Sequence, residues 1–486
     1  MQVPFGEWLP DQPDHGKQGA NVANNVYYAA NTYKRFPSLV NYSSNTTSTD
    51  SKGAGSFRDN SNNVFNFVAT RTNIYQLASG AFTSRKASLT GAADDFWTFT
   101  QFGEYVIASN GVDAPQYYLM GTSTNFANLS AIQSAGTVPT FRVSGVVRDF
   151  LVTGNITNAT NRIQWSGIND ITVWSGKQSD SQDLPGSGGQ VVAITSGEVG
   201  YVFRQNQIIR MDYVGGATVF RLSVISPNRG AVYGRTVCQD NRQIFFYADD
   251  GFYQINGDQI MPISVEKVNR YFDLNLNKAY ADRICAAVDP FNQLAMWLFP
   301  STANTSNTTG ICDKIIIYNY ATKKWSLADA SASSIFSQFV GAFTVELMDI
   351  ISQNLENISA ALDTDYWSGG QMFLGAIDSD YKAAIFSGNS NECEVETAEL
   401  EPFPGFRANI TGVRPIVDAT ATLTVKARER LADTESETSS VSMRDSGINP
   451  VRKSGRYIRA NVKVASGTSF THAQGIDLIA SRAGTR

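Results

Sequence analysis

The dominant pattern along the chain is a pair of short apolar runs joined by a polar turn, and it recurs six times. In each pair the first run is almost continuously apolar and the second mixes in polar residues. This is expected for a strand buried on both faces beside a partner exposed on one face. The six pairs are 64–69 with 74–77, 104–108 with 116–119, 149–153 with 162–166, 200–203 with 208–211, 243–247 with 252–255, and 294–298 with 314–319.

The spacing of these hairpins, roughly 40 to 50 residues from one to the next, is typical of propeller blades with about four short strands each. The pattern therefore predicts a mainly β chain with a β-propeller-like body. No unit carries a WD or kelch signature, so the number of blades stays open. A tandem of β-sandwiches is the structural alternative.

Three regions follow from this pattern. Residues 1–50 form an extended N-terminal arm and first strand, because scattered prolines exclude a long helix. The arm packs on the body or on a neighbouring subunit. Residues 51–404 form the propeller-like domain, and residues 405–486 form a small basic β-module whose strands 425–430 and 455–464 alternate in polarity.

A helical insertion is predicted at about 333–366, inside the propeller-like domain. Apolar residues recur there at steps of three and four, from Phe336 to Leu362, as on one face of a helix. Strand signals resume at 372–377 and 383–386.

Composition favours sheet over helix, since 39 glycines and 48 Phe and Tyr residues suit turns and pleated surfaces. Charge is segregated: residues 405–486 hold 13 Lys and Arg against 7 Asp and Glu, whereas the whole chain carries −5. An acidic stretch precedes this basic part. It is either a solvated sheet edge or a negative surface that lines a DNA conduit without binding phosphates. The acidic residues are Glu392, Glu394, Glu396, Glu399 and Glu401.

Targeting signals are absent from the start of the sequence, and no apolar stretch reaches the ~20 residues needed to span a bilayer. The four cysteines, Cys238, Cys285, Cys312 and Cys393, show no zinc-site spacing. We expect free buried thiols in a chain made in a reducing cytoplasm.

Candidate chemistry is sparse, and we expect no catalytic residue, metal ligand or cofactor. The two histidines, His15 and His472, lie at opposite ends of the chain and predict neither a metal site nor a triad. No phosphate-binding loop or nucleophile elbow occurs.

Paired carboxylates occur at Asp94-Asp95 and at Asp249-Asp250. Adjacent residues on a strand point to opposite faces, so neither pair makes the two-carboxylate site of a glycosidase. Asp249-Asp250-Gly251 is instead typical of a hairpin turn. The string 170–174 comes nearest to the repeated box of sialidase-type propellers, and it lacks the glycine of that box.

Several segments carry a resemblance to a known family: 4–11, 21–22 and 33–39 at the start of the chain, Trp367 with Gly369 and Gly370 in the middle, and 455–457 with 471–475 near the end. They resemble the tail nozzle, or tail hub, proteins of short-tailed bacteriophages (podoviruses), also called packaged-DNA stabilisation proteins. The resemblance covers both chain ends and 347–378. Through the repeats only the pattern agrees.

The resemblance implies a structural, non-enzymatic virion protein, assembled in the host cytoplasm into a hexameric ring in the virion tail. Such a ring extends and closes the DNA-ejection channel below the portal and adaptor rings, lets double-stranded DNA pass without sequence-specific binding, and attaches fibres or spikes. On this interpretation the acidic stretch faces the channel. Candidate interface residues are Phe5, Trp8, Phe36, Arg456 and Tyr457.

Two other functions compete with this one. A propeller adhesin or lectin predicts aromatic residues and carboxylates clustered on one propeller face. A glycosidase needs two carboxylates about 5–9.5 Å apart in a pocket.

Overall fold

The computed structural model describes residues 1–216, 218–304, 310–339 and 372–484, and most regular structure in these ranges is β-strand. Five successive four-stranded antiparallel sheets follow the N-terminal segment. The first sheet contains Gly53–Arg58, Val64–Ala69, Ile74–Ala78 and Ala81–Lys86, and the second contains Thr98–Phe102, Tyr105–Ser109, Gln116–Leu119 and Ala127–Asn128. The third contains Phe141–Val147, Phe150–Ile156, Ala159–Trp165 and Asp180–Asp183, and the fourth contains Val191–Ile194, Val199–Arg204, Ile208–Tyr213 and Phe220–Ser226. The fifth contains Cys238–Asp240, Gln243–Ala248, Gly251–Asn256 and Gln259–Pro262.

The sixth and seventh sheets share one long strand, Lys324–Phe339. Its first half is the outer strand of the sixth sheet and its second half is the inner strand of the seventh. The sixth sheet also contains Cys285–Asp289, Leu294–Phe299 and Cys312–Asn319, and the seventh contains Met372–Asp378, Ala383–Ser390 and Pro37–Asn41. The outer strand of the last sheet therefore comes from the start of the chain, with Leu39 opposite Phe386.

The seven sheets close into a ring. Inner strands of neighbouring sheets contact each other from the first sheet to the fourth and from the fifth to the seventh, and the inner strand of the seventh contacts that of the first. Between the fourth and fifth sheets the turn Gly234–Thr236 contacts Val191–Ile194, and the Gln239 amide donates to the carbonyl oxygen of Ser196 at 2.9 Å. At that closure the backbone N–H of Phe339 donates to Ser56 Oγ at 2.8 Å. Between the first and second sheets a Cβ on Gly53 would meet the carbonyl oxygen of Trp97 at 2.3 Å, so only glycine permits this approach. The described residues thus form a seven-bladed β-propeller.

The six hairpins predicted from the sequence are confirmed as the second and third strands of the first six blades. The predicted turn at Asp249-Asp250 also forms, with Ala248 paired to Gly251. All four cysteines are free and buried, as expected.

Helices are short in the described ranges: one α-helix, Asn269–Asn275, and three 3₁₀ turns, Leu129–Ile132, Gly234–Thr236 and Lys278–Arg283. Within these ranges no helix is long and apolar enough to cross a membrane.

A β-sandwich forms from the two ends of the chain. One sheet orders Lys453–Gly455, Ala408–Val417, Ala473–Arg482, Thr32–Arg35 and Val26–Ala29, and Gln2–Pro4 also pairs with Ala473–Arg482. The other sheet orders Val22–Asn24, Cys393–Glu396, Tyr457–Val464 and Ala421–Arg428, with Ser436–Glu437 and Val441–Ser442 at its edge. A small parallel pair, Glu7–Trp8 with Gly19–Ala20, lies beside them. Leu423 and Val425 of one sheet share a core with Ile476 and Leu478 of the other.

Aromatic side chains join the sandwich to the fifth and sixth blades through a common core. Trp297 and Trp325 are fully buried, and both rings pack against Phe252 with centroids 4.7 and 5.3 Å away. Each indole N–H donates to a backbone carbonyl at 2.9 Å, so these large side chains are buried without an unpaired donor. These contacts join the fifth and sixth blades, and the same core continues into the sandwich through residues such as Val395 and Val462.

The helical prediction is wrong for residues 333–339, which belong to the strand Lys324–Phe339. This half of the strand lies between the sixth and first blades, so Ile335 and Phe336 are both buried although they point to opposite faces. Burial on both faces removes the two-residue alternation that identifies a strand. Residues 340–366 of the predicted insertion lie outside the described residues, as does Trp367.

The predicted domain boundaries also differ from the sheets. Residues 37–41, assigned to the arm, complete the seventh blade. Residues 393–396, assigned to the propeller-like domain, pair with Tyr457–Val464 of the sandwich. Strand pairing between residues far apart in the chain decides to which domain each segment belongs, and no local sequence pattern indicates that pairing.

Candidate functional site

The channel through the centre of the propeller encloses a cavity of about 670 Å³. Residues from the inner strand of every blade line it, for example Ser56 in the first, Ser144 in the third, Gln239 in the fifth and Ser337 in the seventh. A concave site of this volume with several polar side chains is of the size that binds small molecules.

A second cavity of about 380 Å³ lies at one end of the channel and shares Phe96 and Arg235 with it. This end is where the chain passes from one blade to the next. We call it the channel mouth and define it by its charged and aromatic side chains: Asp50, Lys52, Asp94, Phe96, Arg142, Arg235, Asp282 and Arg283.

Arg235 and Phe96 meet at the channel mouth. The guanidinium carbon of Arg235 lies 4.4 Å from the centroid of the Phe96 ring, and Lys52 Nζ lies 5.5 Å from the same centroid. Phe96 connects the first blade to the second and Arg235 connects the fourth to the fifth. Because three blades separate these connections on the ring, the two side chains come together across the opening.

Some of the charges at the mouth neutralise one another. Asp50 forms an ion pair with Lys52 at 3.0 Å and lies 3.8 Å from Arg283, and Arg142 pairs with Asp95 at 2.7 Å. Lys52 is almost fully buried in this arrangement. Two carboxylates and one guanidinium remain, and in the described part of the chain no ion pair engages them: Asp94, Asp282 and Arg235.

A thiol also lines the channel, at Cys285. Burial raises the pKa of Cys285, although nearby Arg235 and a hydrogen bond from the N–H of Ile335 act in the opposite direction. The thiol is therefore protonated at neutral pH, and a protonated thiol is a poor nucleophile.

The acidic stretch lies in the sandwich and not in the propeller channel. Glu396 and Glu399 are buried, with side chains 2% and 1% exposed. Glu396 binds Lys426 at 2.6 Å, and Glu399 binds Arg428 through two hydrogen bonds of 2.5 and 2.7 Å. For these two residues the expectation of an exposed or channel-facing surface is wrong, because each is consumed by an ion pair within the chain.

The other three members of the stretch are more accessible. Glu392 is 57% exposed and binds Lys463 at 3.1 Å, and Glu394 lies 3.7 Å from the same amine. Glu401 accepts the backbone N–H of Gly405 at 2.8 Å. Four of the five acidic residues thus pair with lysine or arginine side chains of the basic C-terminal part, although the two charges appear segregated along the sequence. These partners lie on Tyr457–Val464 and Ala421–Arg428, in the same sheet as Cys393–Glu396.

Three of the predicted interface residues are buried inside the chain: Phe5, Trp8 and Phe36. Trp8 packs edge-on against Tyr271, and Phe36 packs against Phe386. The N-terminal arm therefore packs on the body of its own chain. Arg456 and Tyr457 remain partly exposed, and Tyr457 contacts the ring of His15.

The structure also locates the carboxylates and histidines for which the sequence predicted no catalytic or metal-binding role. Asp94 and Asp95 have separate environments, since Asp95 is buried against Arg142 and Asp94 lines the channel. His472 lies 3.3 Å from Asp418 in the sandwich, far along the chain from His15. In the described ranges no group of three or more His, Cys, Asp or Glu side chains is arranged to hold a metal.

Sequence reasoning missed Phe96 and Arg235. Neither belongs to a motif, and each lies in a connection whose place on the ring depends on the packing of all seven blades. The adjacent pair Asp94-Asp95 is a local signal for the connection that contains Phe96, but it does not indicate that Arg235 lies beside that ring.

Strand order and ring closure define the class: a seven-bladed β-propeller protein fused to a β-sandwich. No family model matches the chain, and no curated protein matches it. A chain in "Crystal Structure of Mitotic Checkpoint Complex" is similar at 10% identity and a TM-score of 0.40, covering 74% of this chain and 96% of that one. BamB from Moraxella catarrhalis is similar at 10% identity and a TM-score of 0.38, covering 75% and 96%.

Proposed function

We propose that the chain is a structural subunit of the tail nozzle of a short-tailed bacteriophage, without catalytic activity. On this proposal it forms a hexameric ring in the virion tail below the portal and adaptor, lets DNA pass through the ring and attaches fibres or spikes. The observation that carries the proposal is that the two chain ends, whose segments resemble the nozzle family, pair with each other as strands of one sheet. Pro4 pairs with Gly475 and Tyr33 pairs with Ala473, although more than 400 residues separate the partners.

That meeting supports the proposal because the segments of resemblance then form one continuous structural unit. His15 and Tyr457, which belong to the two ends, also contact each other with ring centroids 5.2 Å apart. Segments that are scattered along a chain but adjacent in space are expected where a family keeps a common body.

The firm attachment of the sandwich to the propeller also supports a role in a ring wall. Lys267, after the fifth blade, pairs with Glu7 of the arm at 2.7 Å. Asp11 accepts the backbone N–H groups of Arg270 and Tyr271, each at 2.7 Å. A subunit that contacts partners at both ends of a conduit needs two bodies that do not hinge against each other.

The proposal places subunit contacts on surfaces other than the buried aromatic residues of the arm. Arg456 and Tyr457 stay candidates, since both are partly exposed. Among the acidic residues, exposed Glu392 is the member best able to face a conduit.

Native mass spectrometry and negative-stain imaging of the full chain test this proposal, alone and mixed with portal–adaptor complexes. We expect a sixfold ring, formed alone or on the adaptor. A chain that stays monomeric in both samples overturns the proposal. The non-enzymatic part is tested separately: hydrolysis of a glycan that disappears in Asp94→Asn or Asp282→Asn would contradict it.

A carbohydrate-binding adhesin is the second candidate. The channel mouth favours it, because Phe96 and the carboxylates of Asp94 and Asp282 cluster there on one face of the propeller, and Tyr280 lines the adjoining second cavity. Carboxylates accept hydrogen bonds from sugar hydroxyls, and aromatic rings pack against the apolar faces of sugar rings. Glycan binding by the isolated chain is the test, and its absence from a broad glycan panel would reject this candidate.

A further inference from the structure

Arg235 is an unusual cation for its surroundings. Its side chain is partly buried at the channel mouth, where the guanidinium stacks on the ring of Phe96. In the described part of the chain, no carboxylate lies within ion-pair distance of this guanidinium and no hydrogen bond engages its five N–H donors. A guanidinium in a cavity wall with its donors free is arranged to accept an anion in a planar, two-pronged contact.

The wall of the cavity offers a second unpaired group. Ser334, on the inner strand of the seventh blade, is 2% exposed, and its hydroxyl has no hydrogen-bond partner among the described residues. Ser334 lines the channel together with Cys285 and Arg235. A buried hydroxyl without a partner costs free energy unless a ligand or a water satisfies it.

The remaining charges of the channel mouth restrict the chemical class of ligand that can bind there. Asp94 and Asp282 line the same cavity and are unengaged by cations in the described ranges. Two free carboxylates beside one free guanidinium would repel a polyphosphate chain, and a cavity of about 670 Å³ has no room for a nucleic-acid duplex. The three unpaired charges of the mouth suit a ligand that places one acidic group on Arg235 and several hydroxyl donors on the two aspartates.

We propose that the channel mouth binds an acidic sugar, with the sugar carboxylate on Arg235, the hydroxyls on Asp94 and Asp282, and the ring beside Phe96. This inference deepens the second candidate function and rests on it; it does not depend on the ring proposed above. The class of ligand is a monosaccharide, or the terminal residue of a glycan, that carries a carboxylate.

Isothermal titration calorimetry with glucuronate and N-acetylneuraminate tests this site, against glucose, N-acetylglucosamine and inorganic phosphate at matched ionic strength. The key variant is Arg235→Gln. The matched control is Arg148→Gln, since Arg148 also stacks on an aromatic ring, Tyr213 at 4.5 Å, but lies in the turn of the third blade away from the mouth. Unchanged melting temperatures show that both variants fold.

We expect both acidic sugars to bind, Arg235→Gln to weaken them about tenfold or more, and Arg148→Gln to leave them unchanged. Asp94→Asn should weaken glucuronate by several-fold, because the sugar hydroxyls lose a charged acceptor, and should strengthen any phosphate binding, because a repelling carboxylate is removed. Neutral sugars that bind as tightly as the acidic ones, or an unaffected Arg235→Gln variant, overturn the acidic-sugar site and leave the adhesin candidate standing. Phosphate that binds as tightly as glucuronate also overturns it. If no sugar binds at all in the wider panel, both the site and the adhesin candidate fail.

Discussion

Asn25 and Asp329, 304 residues apart, exchange two hydrogen bonds. The Asn25 amide donates to Asp329 Oδ2 at 2.8 Å, and the backbone N–H of Asp329 donates to Asn25 Oδ1 at 2.8 Å. Asn24 donates to the same carboxylate oxygen at 2.8 Å, and Lys314 pairs with the other. This carboxylate joins the N-terminal arm to the sixth blade.

Removal of that carboxylate should weaken the attachment of the two bodies. We expect Asp329→Ala to lower the free energy of unfolding by about 1.5–3 kcal/mol, because the buried amide of Asn25, the half-buried amide of Asn24 and a lysine lose a charged acceptor. Urea denaturation followed by fluorescence measures the change. Asp445→Ala, which removes an exposed carboxylate of the sandwich, is the control and should change stability by less than about 0.5 kcal/mol.

The same carboxylate should make stability depend on pH. Burial on its own would raise the pKa of Asp329, but its hydrogen bond and charge contact with Lys314, and the amides of Asn24 and Asn25, hold that pKa below its usual value of 3.8. Since the folded pKa is depressed, the stabilisation is complete above the unfolded pKa and is lost as the pH falls through the folded pKa.

The difference in unfolding free energy between wild type and Asp329→Asn should therefore be constant above about pH 5 and should shrink below about pH 4. Unfolding curves at several pH values from about pH 2.5 to neutrality measure this difference. If the difference stayed constant down to about pH 2.5, protonation of Asp329 would have no effect on the stability of the fold.

Closure of the propeller should depend on Phe36. This ring is 5% exposed and packs on Phe386 with centroids 5.3 Å apart, next to the strand that completes the seventh blade. Phe36→Ala should cost about 3–5 kcal/mol of unfolding free energy. Hydrogen exchange should accelerate most in the peptides that contain residues 37–41 and 383–390.

The same substitution at Phe291 is the matched control, because that ring is 83% exposed at the tip of a hairpin in the sixth blade. Phe291→Ala should leave stability and exchange nearly unchanged. Equal effects of the two substitutions would mean that Phe36 is not a core residue of the closed ring.

Buried Glu399 should matter more than its exposed neighbour in the acidic stretch. Glu399→Gln leaves Arg428 without its two-pronged partner in a nearly buried site, and we expect a loss of about 3–5 kcal/mol. Glu392→Gln, at a side chain that is 57% exposed, should cost less than about 1 kcal/mol. Thermal denaturation of both variants beside wild type ranks the two effects. Equal losses would indicate that both carboxylates are solvated.

Local pattern alone was enough for the repeated hairpins. Val64–Ala69 and Ile74–Ala78 are adjacent in sequence, and a short polar turn fixes their register, so alternation of apolar and polar residues reports the pair directly. The same holds for the next five hairpins and for the turn at Asp249-Asp250. These pairs also set the repeat spacing, from which a propeller-like body was predicted.

Distant pairing is what the sequence left open. Nothing near Leu39 indicates that it pairs with Phe386, and nothing near Glu399 indicates that Arg428 will neutralise it. The stretch 333–339 was interpreted as helix because a strand buried on both faces loses its alternation. The acidic stretch was interpreted as exposed because charge along a chain does not show which opposite charge lies across a sheet.

The sequence by itself thus determined the strands, their hairpin partners and the mainly β class, since these depend on neighbours along the chain. Only the tertiary structure decided the seven-blade closure, the sandwich made from both chain ends and the channel mouth where Arg235 meets Phe96. The physical reason is that each of these requires residues far apart in the chain to be packed together, and the order of packing is set by the whole ring.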